Sequence, residues 1–190
     1  MIPTSTELEA LLSDLESDLA ERKSSAGDRS AIRRTICAYA NDLPGHRRPG
    51  VIFVGARNDG GCANLAVTNQ LMTTLAQMRS DGNILPPPTM YVEKMALRGC
   101  ELVVIVVEPS DNPPVRYQGR TWVKVGSVLQ QATVEEERRL SERRRSGDLP
   151  FDLRPVLGAS ADELDMDFFR NEYLRSALAP DSRREPTEHR

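Results

Sequence analysis

The chain has 190 residues, 39% hydrophobic and 28% charged, with 25 Lys and Arg against 28 Asp and Glu for a net charge of −3. That length can bury one ordinary core without disulfides or metals, and the longest apolar run, Leu102 to Val107, is strand-sized rather than membrane-spanning. These figures exclude a membrane-spanning chain, a secreted disulfide scaffold and a fully disordered one, and no basic residue precedes Arg22 to make a secretory signal. A soluble, cytoplasmic protein is the expectation.

Leu8, Leu11, Leu12, Leu15 and Leu19 recur at helical spacing and predict an amphipathic first helix. Residues 24–30 interrupt it and offer Asp28 as an N-cap. A second helix then runs through Ile32, Ile36, Tyr39 and Ala40 and stops before the Pro- and Gly-rich loop 44–50. Residues 51–56 read as a buried strand entering the polar turn 57–61. Residues 64–79 read as helix, and the three prolines 86–88 force extended chain. Strands follow over Met90–Leu97, Glu101–Glu108 and Thr121–Val125, the first two joined by a turn at Arg98 and Gly99. Helices return over 133–145 and 162–179. This order predicts an α+β fold with a largely antiparallel sheet flanked by helices. The domain is expected over 1–147, a C-terminal extension with a helix over 148–180, and a disordered tail over 181–190.

Charge is distributed unevenly. Glu7, Glu9, Asp14, Glu16, Asp18 and Glu21 precede the first base, whereas Arg22, Lys23, Arg29, Arg33, Arg34, Arg47 and Arg48 then meet only Asp28 and Asp42. A local basic groove is compatible with the acidic total. Cys37, Cys62 and Cys100 show no paired spacing, and with His46 and His189 they make no zinc signature, so each reads as a small buried apolar residue. The run 135–145 mixes five Arg with four Glu and reads as a self-neutralised helix surface. Tyr117 and Trp122 read as sheet packing. His46, Arg47 and Arg48, between Pro44 and Pro49, form the basic cluster best placed for function.

Four segments, in order, resemble the Schlafen-type AlbA-like domain. Glu16, Ser17, Glu21 and Lys23 are similar to its E-S-x-x-x-E-F-K opening, and residues 36–41 (ICAYAN) to its I-C-A-F-A-N helix end. Residues 51–55 with the acidic turn to Gly60 resemble its strand and G-V-x-D-D-G turn, and residues 122–127 (WVKVGS) its Y-x-R-x-G-S strand end. The resemblance extends over about residues 5–178. It departs at Asn58, which stands where the family has aspartate, at Arg22 in place of Phe, and in the longer 44–50 loop.

The resemblance implies a single Schlafen-like AlbA-type domain acting as a divalent-metal-dependent endonuclease on tRNA-like RNA, in stress or antiphage defence. Glu16, Glu21 and Asp59 (or Asn58) would hold Mg2+ or Mn2+, Lys23 would steady the phosphorane, and Arg33, Arg34, His46, Arg47 and Arg48 would contact phosphates. The five-residue spacing of Glu16 and Glu21 puts them ~140° apart on a helix and on opposite faces of a strand. They converge only if the first helix ends near 17–20 and the chain bends. The alternative is a non-catalytic DNA- or RNA-binding module of a transcriptional regulator, and a third reading is an interaction domain whose acidic first helix docks a protein. Family relatives pair two lobes around RNA, which implies a homodimer here. No phosphate-binding Gly-rich loop is present, so no nucleotide cofactor is expected.

Overall fold

The computed structural model describes residues 3–147 and 165–174. The chain forms two compact units, Met1–Asp148 and Leu149–Arg190. In the first, α1 (Ser5–Ser13), β1 (Ala20–Lys23), α2 (Arg29–Asn41), β2 (Gly50–Val54) and α3 (Asn69–Gln77) come first. They are followed by β3 (Ile84–Leu85), β4 (Met90–Leu97), β5 (Cys100–Val107), β6 (Arg116–Tyr117), β7 (Arg120–Val125), β8 (Val128–Gln131) and α4 (Val134–Gly147).

The strands form two four-stranded sheets, ordered β1-β2-β5-β4 and β3-β6-β7-β8. Among the described residues only the β1–β2 pair is parallel, with Glu21 opposite Ile52, so the α+β and largely antiparallel expectation holds. Apolar runs give β2 and β5 their place at the centre. Every residue of β2 is buried. Ile52, Val54, Val103, Ile105 and Val107 pack with Ile32, Ile36 and Tyr39 of α2 and with Tyr117. Val51, Phe53, Leu102, Val104 and Val106 pack on the opposite face with Leu8 and Leu12 of α1. Period-2 alternation thus feeds two cores from one sheet. The ring of Tyr39 lies so close over Gly50 that any Cβ there would overlap it.

The first helix is shorter than its leucines predict. A capping box of Thr4 and Glu7 starts it, and it ends at Ser13, with Asp14 in extended conformation. Leu8 and Leu12 are buried, but Leu15 is 51% exposed. The cause lies in β1: the buried Arg22 donates from Nε to Leu12 O (2.9 Å) and from Nη2 to Leu11 O (2.8 Å) and Asp14 O (2.6 Å). A guanidinium takes the carbonyls that a longer helix would need.

Asn41, at the end of α2, ties the second sheet down. Its amide donates to Val115 O (2.9 Å) and Trp122 O (2.8 Å), and its oxygen accepts from Val115 N (2.7 Å). The cysteine reading is corrected for two of three residues. Cys62 and Cys100 form a disulfide with Cα atoms 5.5 Å apart, because the bridge between Ala56 and Cys62 folds the post-β2 loop back onto the sheet. Cys37 alone is free, and it is buried.

In the second unit a short helix, α5 (Met166–Phe168), continues as a π-helical turn (Phe169–Tyr173), with Asp165 as N-cap. The remainder of the predicted 162–179 helix, the 148–164 stretch and the 181–190 tail lie outside the described residues. No helix among the described residues is long and apolar enough to cross a membrane.

Candidate nucleic-acid interface

Strand β1 sorts its side chains by parity. Ala20 and Arg22 are buried on the α1 side, while Glu21 and Lys23 are half-buried on the α2 side. Arg22, where the resemblance places Phe, is therefore a structural residue that caps α1.

Glu21 is held by two ammonium groups. Its Oε1 lies 2.8 Å from Lys23 Nζ and its Oε2 3.1 Å from Lys124 Nζ. Lys124, on β7 and only 5% exposed, also donates to Ala20 O (2.8 Å) and Tyr39 Oη (3.1 Å) and lies over the Tyr39 ring. Partial burial would raise the Glu21 carboxyl, but the hydrogen bonds and charges of Lys23 and Lys124 prevail and hold it below the usual range. Burial pushes the Lys124 ammonium down, against the pull of Glu21. Burial, reinforced by Glu21 and Asp18, drives the Tyr39 phenol well up.

The remaining expected ligands lie elsewhere. Glu16 is exposed beyond the end of α1, its backbone N–H donating to Asp14 Oδ1 (3.2 Å). Asn58 and Asp59 sit in an exposed turn. Asp59 accepts from Gly61 N (2.8 Å) and Arg57 Nε (3.3 Å), which lower its pKa in that order. Among the described residues no three Asp, Glu, His or Cys side chains form a group able to hold a metal ion. The helix ends early and the chain bends, as convergence required, yet the carboxylates do not converge. Glu21 is ion-paired with two ammonium groups, and Asp59 is hydrogen-bonded within its own turn.

The basic loop, in contrast, is built. Asp42 caps α2 in the left-handed region (φ +40°). Its carboxylate accepts from His46 N (3.0 Å) and Arg47 N (2.8 Å), and Gly45 N closes a turn on Asp42 O (2.9 Å). His46 Nε2 lies 2.7 Å from Asp18 Oδ2. His46, Arg47 and Arg48 are exposed, and among the described residues Arg47 and Arg48 have no carboxylate within ion-pair distance. A cleft of about 800 Å³ runs between this loop and the α1–β1 connection, lined by Leu11, Asp14, Glu16, Asp18, His46, Arg47 and Arg48 among others. Glu16 and the basic loop thus share one cleft.

Arg33 and Arg34 are partly exposed, and each has a partner within the chain. Arg33 is ion-paired with Asp81, and the Arg34 guanidinium lies 5.0 Å over the Trp122 ring while its Nε donates to Ser30 O (3.3 Å). Trp122 is covered by that guanidinium and is not an open stacking platform. Sequence reasoning missed Lys124, Asp18 and Asp42 as parts of the site, and with them Arg143 of α4, which donates to Asp42 O (2.6 Å). Only Lys124 carried a signal, since it stands at the arginine position of the Y-x-R-x-G-S resemblance.

Together these features define a two-sheet α+β domain that offers an ordered cationic loop beside a cleft. The chain belongs to the "Schlafen, AlbA_2" family, whose model matches residues 16–133, more than half its length. That membership points to a nucleic-acid-binding domain. Two solved structures are similar to it. One is the crystal structure of the DIP2311 protein from Corynebacterium diphtheriae (16% identity, TM-score 0.48, 82% of this chain and 34% of that one). The other is the solution structure of the N-terminal domain of a RecG-related ATP-dependent DNA helicase-type protein from Nitrosomonas europaea (20% identity, TM-score 0.43, 70% of this chain and 95% of that one). The chain spans about a third of the Corynebacterium protein. No curated protein matches it.

Proposed function

We propose that this chain is a nucleic-acid-binding module that grips a phosphate backbone through Arg47 and Arg48, with His46 beside them. The observation that supports the reading is the ordered loop. Its backbone is hydrogen-bonded to Asp42, and its two guanidinium groups are exposed with no carboxylate within ion-pair distance among the described residues, Glu7 acting on Arg48 only at longer range. Arginine held in this way meets a phosphate with little ordering cost and can bind it in bidentate fashion. RNA is the first candidate, recognised by shape and backbone, and a homodimer facing one duplex belongs to the same proposal.

The test is fluorescence anisotropy with labelled tRNA and a DNA duplex from about 50 to 200 mM salt. Binding should weaken linearly in log–log form, and Arg47→Ala with Arg48→Ala should flatten the slope by roughly 1 for each phosphate no longer neutralised. Absent or salt-independent binding would overturn the proposal. The metal-dependent endonuclease expectation, with Glu16, Glu21, Lys23 and Asp59 catalytic, is a separate outcome of the tRNA assay. It requires cleavage with Mn2+ or Mg2+ that EDTA stops and Glu21→Ala abolishes.

A further inference from the structure

Helix α4 begins just past the family-matched residues 16–133, yet it supplies a side chain that braces the basic loop. Leu140 is fully buried against Leu43 and Val123, which seats α4 over the chain leaving α2. One turn further on, the Arg143 guanidinium donates to three successive carbonyls. Nη1 reaches Asn41 O (3.3 Å) and Asp42 O (2.6 Å), and Nη2 reaches Leu43 O (2.9 Å). Carbonyls at a helix end lack partners within the helix, and here the fork supplies them. A lysine ammonium, a point charge without the planar fork, cannot reproduce this pattern.

The loop is therefore held from two sides. Arg143 holds the carbonyls at its entrance, and the Asp42 carboxylate holds the His46 and Arg47 amides that follow. The first hold orients Asp42, and Asp42 orients the segment carrying the exposed guanidiniums. Loss of the fork frees the peptide units on which the Asp42 side chain is mounted.

We propose that Arg143 is the positioning residue of the basic loop, so that the backbone grip depends on α4, a segment outside the family-matched residues. Its consequence for binding rests on the function proposed above; its consequence for loop order does not. Because Arg143 points at carbonyls, it acts through loop order rather than by touching phosphate.

The test compares Arg143→Lys, Arg143→Gln and, as a charge control on the same helix, Arg144→Gln in the full chain. Amide exchange at His46 and Arg47 should quicken at least about tenfold in both Arg143 variants and stay unchanged in Arg144→Gln. Affinity for labelled tRNA should fall by about tenfold in both Arg143 variants with an unchanged salt slope. Wild-type affinity and protection in Arg143→Lys would overturn the proposal, since charge alone would then suffice. A slope reduced by about 1 in Arg143→Gln and restored in Arg143→Lys would also overturn it, because Arg143 would then bind phosphate directly. If Arg143→Gln does not fold, as judged by circular dichroism, Arg143→Lys decides alone. If the wild type binds no nucleic acid, the proposed function fails, while the exchange experiment still judges the brace.

Discussion

Replacing Lys124 by Met keeps most of the side-chain volume and removes one buried ammonium. Three partners lose their donor: Ala20 O, Glu21 Oε2 and Tyr39 Oη. Each such bond is worth about 1 kcal/mol net, more where a charged group is involved, so the gross loss is about 3–5 kcal/mol. Relief from burying the ammonium offsets part of this, about 1–2 kcal/mol, and Glu21 keeps Lys23 at 2.8 Å. The expected net loss is about 1–4 kcal/mol, or a fall in Tm of roughly 3–15 °C for a unit of this size. The sign with pH follows from Glu21, whose carboxyl lies below its ordinary value in the folded protein. Its stabilisation is complete above the unfolded carboxylate pKa and is lost as pH falls through the lowered folded value. The gap between wild type and Lys124→Met should therefore be full at neutral pH and shrink below about pH 4. Urea denaturation across pH, with Glu21→Gln and the double variant, gives the coupling directly, expected at about 1–2 kcal/mol. A loss under about 0.5 kcal/mol, or a gap that does not narrow in acid, would refute the reasoning.

Two further outcomes follow from buried groups. Arg22→Phe introduces the side chain that the resemblance places at this position, and it removes the donor to the carbonyls of Leu11, Leu12 and Asp14. Stability to urea should fall by about 2–4 kcal/mol, with faster amide exchange confined to α1; unchanged stability would show that those carbonyls do not need the guanidinium. The Cys37 thiol is pushed up to about 11, chiefly by burial. Iodoacetamide at pH 8 should leave the native chain unmodified, add one adduct in denaturant and three after reduction, with Cys62 and Cys100 released. Rapid labelling of the native chain at Cys37 would contradict the burial, and labelling at Cys62 or Cys100 the pairing.

The sequence was readable wherever a short-range pattern decided the outcome. The apolar runs of β2 and β5, the Asp28 cap of α2 and the turn at Arg98 and Gly99 all lie where periodicity and turn chemistry put them. The pattern misled where a distant side chain intervened. Leu15 and Leu19 keep the helical period, but Arg22 claims the carbonyls that would continue it. Strand β1, Ala-Glu-Arg-Lys, has no apolar signature, since it exists through its pairing with β2. The basic loop was visible as three cations between two prolines. Its order was not, because Asp18 meets His46 across 28 residues and Arg143 meets Asp42 across 101. The run 135–145 does contain the local pairs of Arg138 with Glu135 and Glu142, yet Arg143 turns inward from the same helix.

Glu21 has structural work in this arrangement besides its place in the resemblance. Two unit charges 4 Å apart interact by about 4 kcal/mol at an effective dielectric of 20. A divalent ion placed on Glu21 would meet a repulsion of roughly twice that from each ammonium at such a distance, set against its attraction to the carboxylate itself. Lys124 cannot leave Glu21 without abandoning Ala20 O and Tyr39 Oη in a buried setting. What Glu21 does in this arrangement is join sheets: it ties β1 of the first sheet to β7 of the second through one ammonium. Lys23 shares the same carboxylate from the half-exposed side, with 26% of its side chain open to solvent. The solvent-facing cation of this trio is thus Lys23, whereas the Lys124 ammonium stays buried and committed to Glu21, Ala20 O and Tyr39 Oη.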